Sequence, residues 1–296
     1  MDVSIYLLVW IAIVGLCLGS FYNVVILRSL NGESIILPPS KCPKCNNKLK
    51  PWHNIPVFSY IFLRGKCAFC KEKISIQYPI IELVTMFLFI GCYLRYGISW
   101  ATILAIFVCS GMLIMSVTDL KEKVVDCRIA IALAILGVLF NGLVNGAWIA
   151  SILGVVVGAI FFEAIARFGY LVSKDRAFGE ADTYVAAALG ACFGLEGLLY
   201  ILLYTLIAAS LLIVPMFLYK QFKNGNKAIC ILAILFTVSA LVYKFAFQNW
   251  IAFTPFALIG IALAVLILRN LKQEQEPMCL PLVPAFSVAA LYFLFF

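Results

Sequence analysis

Ten apolar stretches constrain this chain more than any other feature. They lie at about 5–27, 80–97, 100–118, 129–146, 150–168, 183–194, 197–218, 228–246, 250–268 and 279–296. Several approach the ~20 residues that a helix needs to cross a bilayer. They are continuous, unlike the roughly 10-residue alternating strands of a membrane barrel. The sixth is short. The first opens near Met1 with no Lys or Arg before Arg28, and it is longer than the core of a secretory signal; it predicts a retained helix. Hydrophobic residues make up 65% of the chain and charged residues 12%, which excludes a soluble globular domain or a disordered chain. The expected fold is an all-α polytopic bundle of about ten transmembrane helices.

Placing the N-terminus outside puts 28–79, 119–128, 167–182, 219–227 and 269–278 on the inner side. These loops hold 20 of the 22 Lys and Arg; Arg95 and Lys244 are the other two. The bias follows the positive-inside rule and predicts a multi-pass protein of a cytoplasmic membrane. The net charge of +8 is then a property of inner loops, and no nucleic-acid partner is expected.

The largest inner loop carries Cys42-Pro-Lys-Cys45 and, 21 residues on, Cys67-Ala-Phe-Cys70. Two C-x-x-C knuckles are suited to holding one tetrahedral metal through four thiolates, and zinc is the natural ion. A cytoplasmic loop keeps such thiols reduced. Four thiolates leave no open position for water, so the site reads as structural, a small zinc-ribbon-like insertion. The lone histidine, His53, lies between the knuckles and reads as a surface residue. The other seven cysteines, scattered in or beside the spans, read as small apolar residues.

Chemistry then falls to carboxylates. Asp119 ends the third apolar stretch and Asp182 opens the sixth, so the topology sets both at the inner membrane edge. Two carboxyls sharing a proton there could hydrolyse a peptide, one activating water and the other polarising the carbonyl. The same two acids could instead cap helices or pair with Lys121, Lys123, Lys174 or Arg176. Asp126 competes with Asp119 for the first role, and Asp175 and Glu180 compete with Asp182 for the second. Glu82 and Glu163 lie nearer span interiors, where a carboxylate serves function or finds a basic partner.

Together these residues resemble the bacterial type IV prepilin peptidase family. Gly19-Ser20-Phe21-Tyr22-Asn23-Val24-Val25-Ile26-Leu27-Arg28 is similar to the family's opening motif, and Cys42 to Cys70 to its four-cysteine domain. Asn54-Ile55-Pro56-Val57, Arg64-Gly65-Lys66-Cys67, Ile74-Ser75 and Tyr78-Pro79 with Glu82-Leu83 resemble family segments. Asp119-Leu120 with Asp126 resembles a D-x-x-x-x-x-x-D element, and Gly179-Glu180-Ala181-Asp182 stands in the place of G-x-G-D. The resemblance runs in order through roughly residues 10–200. Ala181 departs from the family glycine, Tyr184 from a frequent lysine, and Thr254-Pro255-Phe256-Ala257 from a glycine-bearing late helix. The resemblance implies about eight spans, two fewer than the apolar stretches suggest.

The resemblance implies that Asp119 and Asp182 cleave the basic leader of type IV prepilins or pseudopilins. It also implies N-methylation of the new N-terminus with S-adenosylmethionine. The implied organisation is a first helix (1–27), the cysteine insertion (28–79), a peptidase core (80–218) and additional helices (219–296). Two other classes compete: an ion-coupled transporter with functional acids near the midplane, and a catalytically inactive assembly protein of a pilus or secretion system.

Overall fold

The structure is a computed structural model and describes residues 5–36, 39–173, 179–223 and 282–296. Its helices are α1 (Ile5–Asn31), α2 (Phe58–Phe62), α3 (Gln77–Tyr96), α4 (Trp100–Glu122), α5 (Cys127–Asn145), α6 (Trp148–Ser173), α7 (Glu180–Lys223) and α8 (Val283–Phe295), with a 3-10 turn at Pro51–Asn54. Among the described residues the only β pairing is two isolated antiparallel bridges. Six helices, α1 and α3 to α7, are long and apolar enough to cross a membrane; α8 is a shorter apolar helix.

The first five expected spans coincide with α1, α3, α4, α5 and α6. The sixth and seventh both fall in α7, which is interrupted at Gly194 (φ 68°, ψ −175°), the last residue of the sixth. Only glycine takes that backbone conformation readily. The tenth stretch is α8. The eighth and ninth lie outside the described residues.

The chain forms two compact units, residues 1–205 with 281–296, and 206–280. In the second, residues 206–223 are described and continue α7 through Pro215. In the first, α4 lies in the core: Ala105, Val108, Cys109, Met112 and Met115 are buried, with Val185, Ala186, Ala188 and Leu189 of α7 and Val283, Phe286, Ala289 and Ala290 of α8. Phe162 of α6 meets Phe286 at 5.4 Å between ring centroids. Ile5, Tyr6, Trp10, Phe87, Leu143 and Ile149 point outward. In a bilayer that apolar exterior faces lipid, and helix association depends on packing rather than on escape from water. Small residues bring helices close. A Cβ added at Gly154 of α6 or at Gly190 of α7 would lie 2.2 Å from the other's carbonyl oxygen, so the two backbones touch.

Helix ends follow local chemistry. Ser99 caps α4 by accepting from the Thr102 N–H (3.3 Å). At the other end Lys123 turns left-handed (φ 55°) and donates its N–H to the Asp119 carbonyl (2.9 Å). Asp126 then starts α5, its Oδ1 accepting from the Arg128 N–H (3.0 Å). This short turn fixes Asp119 in the last turn of α4.

Candidate active site

The opening motif of α1 is explained by its contacts with α3. A Cβ at Gly19 would come within 2.7 Å of the Glu82 Cα, so glycine permits the approach. Beside it, Asn23 is fully buried and donates from Nδ2 to the carbonyls of Gly19 (3.3 Å) and Tyr78 (3.2 Å). Tyr22 donates its hydroxyl to Ser110 Oγ of α4 (2.7 Å). Arg28 donates from Nη1 to the carbonyls of Ser34 and Ile35 and folds the chain back as it leaves α1.

Glu82 is buried, and its Oε2 accepts the Val57 N–H at 2.7 Å, with Ser20 as a second partner. Val57 holds a positive φ of 62°, a costly conformation for a β-branched residue. The buried carboxylate therefore ties the loop after the 3-10 turn to α1 and α3. Glu82→Ala should free that loop. The expected loss is about 2 kcal/mol of local stability, as for a hydrogen bond to a charged group. Limited proteolysis between residues 55 and 66 would show it, with cleavage rising while the membrane helices stay protected.

The insertion is built twice from the same pattern. Cys42 N–H donates to the Asn47 carbonyl and Asn46 N–H to the Cys42 carbonyl; Cys67 N–H donates to the Glu72 carbonyl and Lys71 N–H to the Cys67 carbonyl. Asn46 and Lys71 share a positive φ, 55° and 61°. Bridges Lys41–Lys48 and Lys66–Lys73 close the two knuckles. All four sulfurs lie within 4.8 Å of one another, and Cys42 Sγ is 3.9 Å from Cys70 Sγ. A tetrahedral thiolate site with metal–sulfur bonds of about 2.3 Å has its sulfurs about 3.8 Å apart, so the four residues fit a metal. The N–H groups of Cys70 and Phe69 hold the Cys67 thiol down to about 7. The Glu72 N–H lowers Cys70, but burial and the neighbouring thiols outweigh it and push that group up to about 11. His53 stacks edge-on against Trp52 and Phe69, apart from the four ligands.

Both aspartates are buried. Asp119 is 7% exposed and Asp182 8%. Asp182 sits in the first turn of α7, where its Oδ2 accepts the Gly179 N–H (3.1 Å) and its own N–H donates to the Gly179 carbonyl (3.2 Å). That is the reach-back half of a capping box, so this carboxyl does cap its helix. Asp119 Oδ2 accepts the N–H of Val283, at the start of α8, at 3.1 Å. The two carboxyls interact electrostatically, and Asp119 also feels Lys123. Buried acids that influence one another's charge can divide acid and base roles.

The competing acids separate from this pair. Asp126 caps α5. Glu163 pairs with Arg167 on α6 at 2.9 Å. Glu180 is exposed in the first turn of α7. Asp175, Lys174 and Arg176 lie outside the described residues. The contact to Asp119 that sequence reasoning missed is that of Val283. Its signal was the Pro-Leu-Val-Pro run at 281–284, a helix start whose N–H groups need a partner.

Two family models match the chain: Bacterial Peptidase A24 N-terminal domain over residues 13–96, and Type IV leader peptidase family over residues 106–214. A protein of Myxococcus xanthus is 34% identical over 197 residues, which is 66% of this chain and 59% of that relative. One of Neisseria gonorrhoeae is 34% identical over 214 residues, covering 63% of this chain and 74% of the relative. One of Bacillus subtilis is 35% identical over 185 residues, 62% and 73% respectively. All three are named prepilin leader peptidase/N-methyltransferase. No solved structure matches the chain.

Proposed function

The chain belongs to the type IV leader peptidase family, and from that premise we propose that it is a membrane-embedded aspartic endopeptidase that removes the basic leader of prepilins or pseudopilins. The observation that carries this is the buried pair Asp119 and Asp182, on different helices and within electrostatic reach. The relatives' names support neither a transporter nor an inactive assembly protein.

In the proposed reaction one carboxylate takes a proton from a water molecule as its oxygen adds to the scissile carbonyl. The other carboxyl, protonated, gives its proton to the carbonyl oxygen. The tetrahedral intermediate collapses with proton transfer to the departing nitrogen, releasing the leader's new carboxyl end and the new amino terminus. Both oxygens of the new carboxylic acid are accounted for, one from the peptide and one from water. Backbone N–H groups of Gly179 and Val283 hold one oxygen of each carboxyl and leave the other for water and substrate.

The substrate's apolar helix would lie in the bilayer with its scissile bond at the membrane edge, its Lys and Arg on the inner side. The loop charges support an orientation with the N-terminus outside and the cysteine insertion and aspartates inside. The four cysteines would hold zinc as a structural ion. The relatives' second activity suggests that S-adenosylmethionine, when bound, supplies a methyl group to the new amino terminus; we assign it no residues.

The test is co-expression with a prepilin carrying a basic leader, followed by mass spectrometry of the pilin. Loss of the leader is expected, with a methyl increment on the new N-terminus if the second activity is present. A wild-type chain, present in the membrane, that leaves several prepilins and pseudopilins intact would sink the peptidase reading.

A further inference from the structure

Helix α8 lies beyond both matched stretches, which end at residues 96 and 214. It nevertheless makes a direct contact with the candidate pair. The reason lies in its first turn. Four N–H groups at a helix start lack intrahelical partners, and in an apolar surrounding an unpaired one costs several kcal/mol. Pro284 has no N–H. Ala285 and Phe286 donate to the Leu282 carbonyl at 3.0 and 3.2 Å. The Val283 N–H is the next donor of the turn, and it goes to Asp119 Oδ2 at 3.1 Å in a buried position.

The register of α8 on α4 is held independently. Ser287, one turn on, is in hydroxyl contact with Ser116, three residues before Asp119. Its single hydroxyl proton has the Met112 carbonyl (3.2 Å) and the Val283 carbonyl (3.0 Å) as acceptors within reach. At the far end Tyr96 of α3 donates its hydroxyl to the Leu294 carbonyl (2.5 Å). Val283, Phe286, Ala289 and Ala290 are all buried in the core. The helix is thus fixed along its length, and its first N–H cannot drift from the carboxyl.

Resting on the peptidase reading above, we infer that Val283 is a positioning residue of the reaction: its backbone N–H sets the orientation of the Asp119 carboxyl toward Asp182. The C-terminal helix therefore completes the site. The positive end of its dipole also lies against that carboxyl.

A main-chain donor is tested by deleting the N–H. Val283→Pro does so at a helix position that accepts proline. It also disfavours the αR conformation that Leu282 holds (φ −92°, ψ −25°). A second arm therefore replaces Val283 by its α-hydroxy acid, turning the amide into an ester and removing only the N–H. Kinetics use the full chain in detergent with a purified prepilin. The expected result for both is a kcat lower by about 10- to 100-fold, the scale of a small misplacement of a reacting group, with KM and melting temperature unchanged. Val283→Ala, which keeps the N–H, should restore turnover relative to Val283→Pro. If Val283→Pro fails to accumulate, the ester protein carries the test. Wild-type kcat in the ester protein would overturn the inference, as would a loss confined to KM or to melting temperature. Asp119→Asn separates the two claims. If it still cleaves, the catalytic role of Asp119 fails and the inference with it; if it is dead while the ester protein is fully active, only the role of Val283 fails.

Discussion

Asp119→Asn and Asp182→Asn should each abolish leader cleavage, by at least about 10³-fold, because removal of one member of an acid–base pair leaves the other without its complement. The double variant should be no worse than either single one, since groups that act as a unit are non-additive. Asp126→Asn should cleave normally. Asn caps helices as well as Asp does, and Asp126 acts through the Arg128 N–H at the start of α5. Pulse-labelled prepilin, followed by the mass of the processed form at matched enzyme levels, reads all four proteins. Activity in either single Asn variant would show that another carboxyl carries the chemistry, and Glu180, exposed in the same first turn of α7, would be the first to examine.

The second large effect concerns the insertion. Purified chain should carry one zinc, and Cys42→Ser or Cys67→Ser should bring metal content close to zero. Structural zinc contributes about 10–16 kcal/mol to folding in finger peptides. An insertion whose only β pairing is two single bridges has little else to hold it. Its unfolding should open residues 40–75 to protease while α3 to α6 stay protected. Elemental analysis with limited proteolysis measures both. Full metal content in Cys67→Ser would refute a four-thiolate site. An unchanged digestion pattern after metal loss would show that the anchoring by Glu82, rather than the ion, holds the insertion.

Much of the fold was legible because bilayer crossing is a one-dimensional property. Apolar run length gave α1 and α3 to α6, and the gap at residues 195–196 anticipated the interruption at Gly194. Helix ends were less legible. α3 begins at Gln77, before its apolar run, because Tyr78 and Gln77 are tied to Asn23 rather than released to water. The cysteine cluster was legible for a local reason: each C-x-x-C fixes its own turn, and only the joining of two knuckles needs tertiary structure. That Asp119 and Asp182 lie at helix ends followed from the apolar run lengths. The chemistry assigned to them did not, since a carboxyl that caps a helix and one that activates water look alike in sequence, and Asp182 does cap its helix. The part played by α8 was hidden. Its apolar composition marks a buried helix, but nothing in its periodicity says which carboxyl its first N–H will meet.

That bond has a consequence for biosynthesis. Val283 lies 164 residues after Asp119. The bilayer can take up α4 to α7 as the ribosome delivers them, so both aspartates are inserted before α8 is made. The site gains its last donor only when residue 283 has cleared the exit tunnel and α8 has threaded back beside α4. A translation product that stalls earlier would be inserted, metal-loaded and yet unarmed. If Val283 positions Asp119 as inferred, the order of synthesis would delay cleavage until α8 is in place.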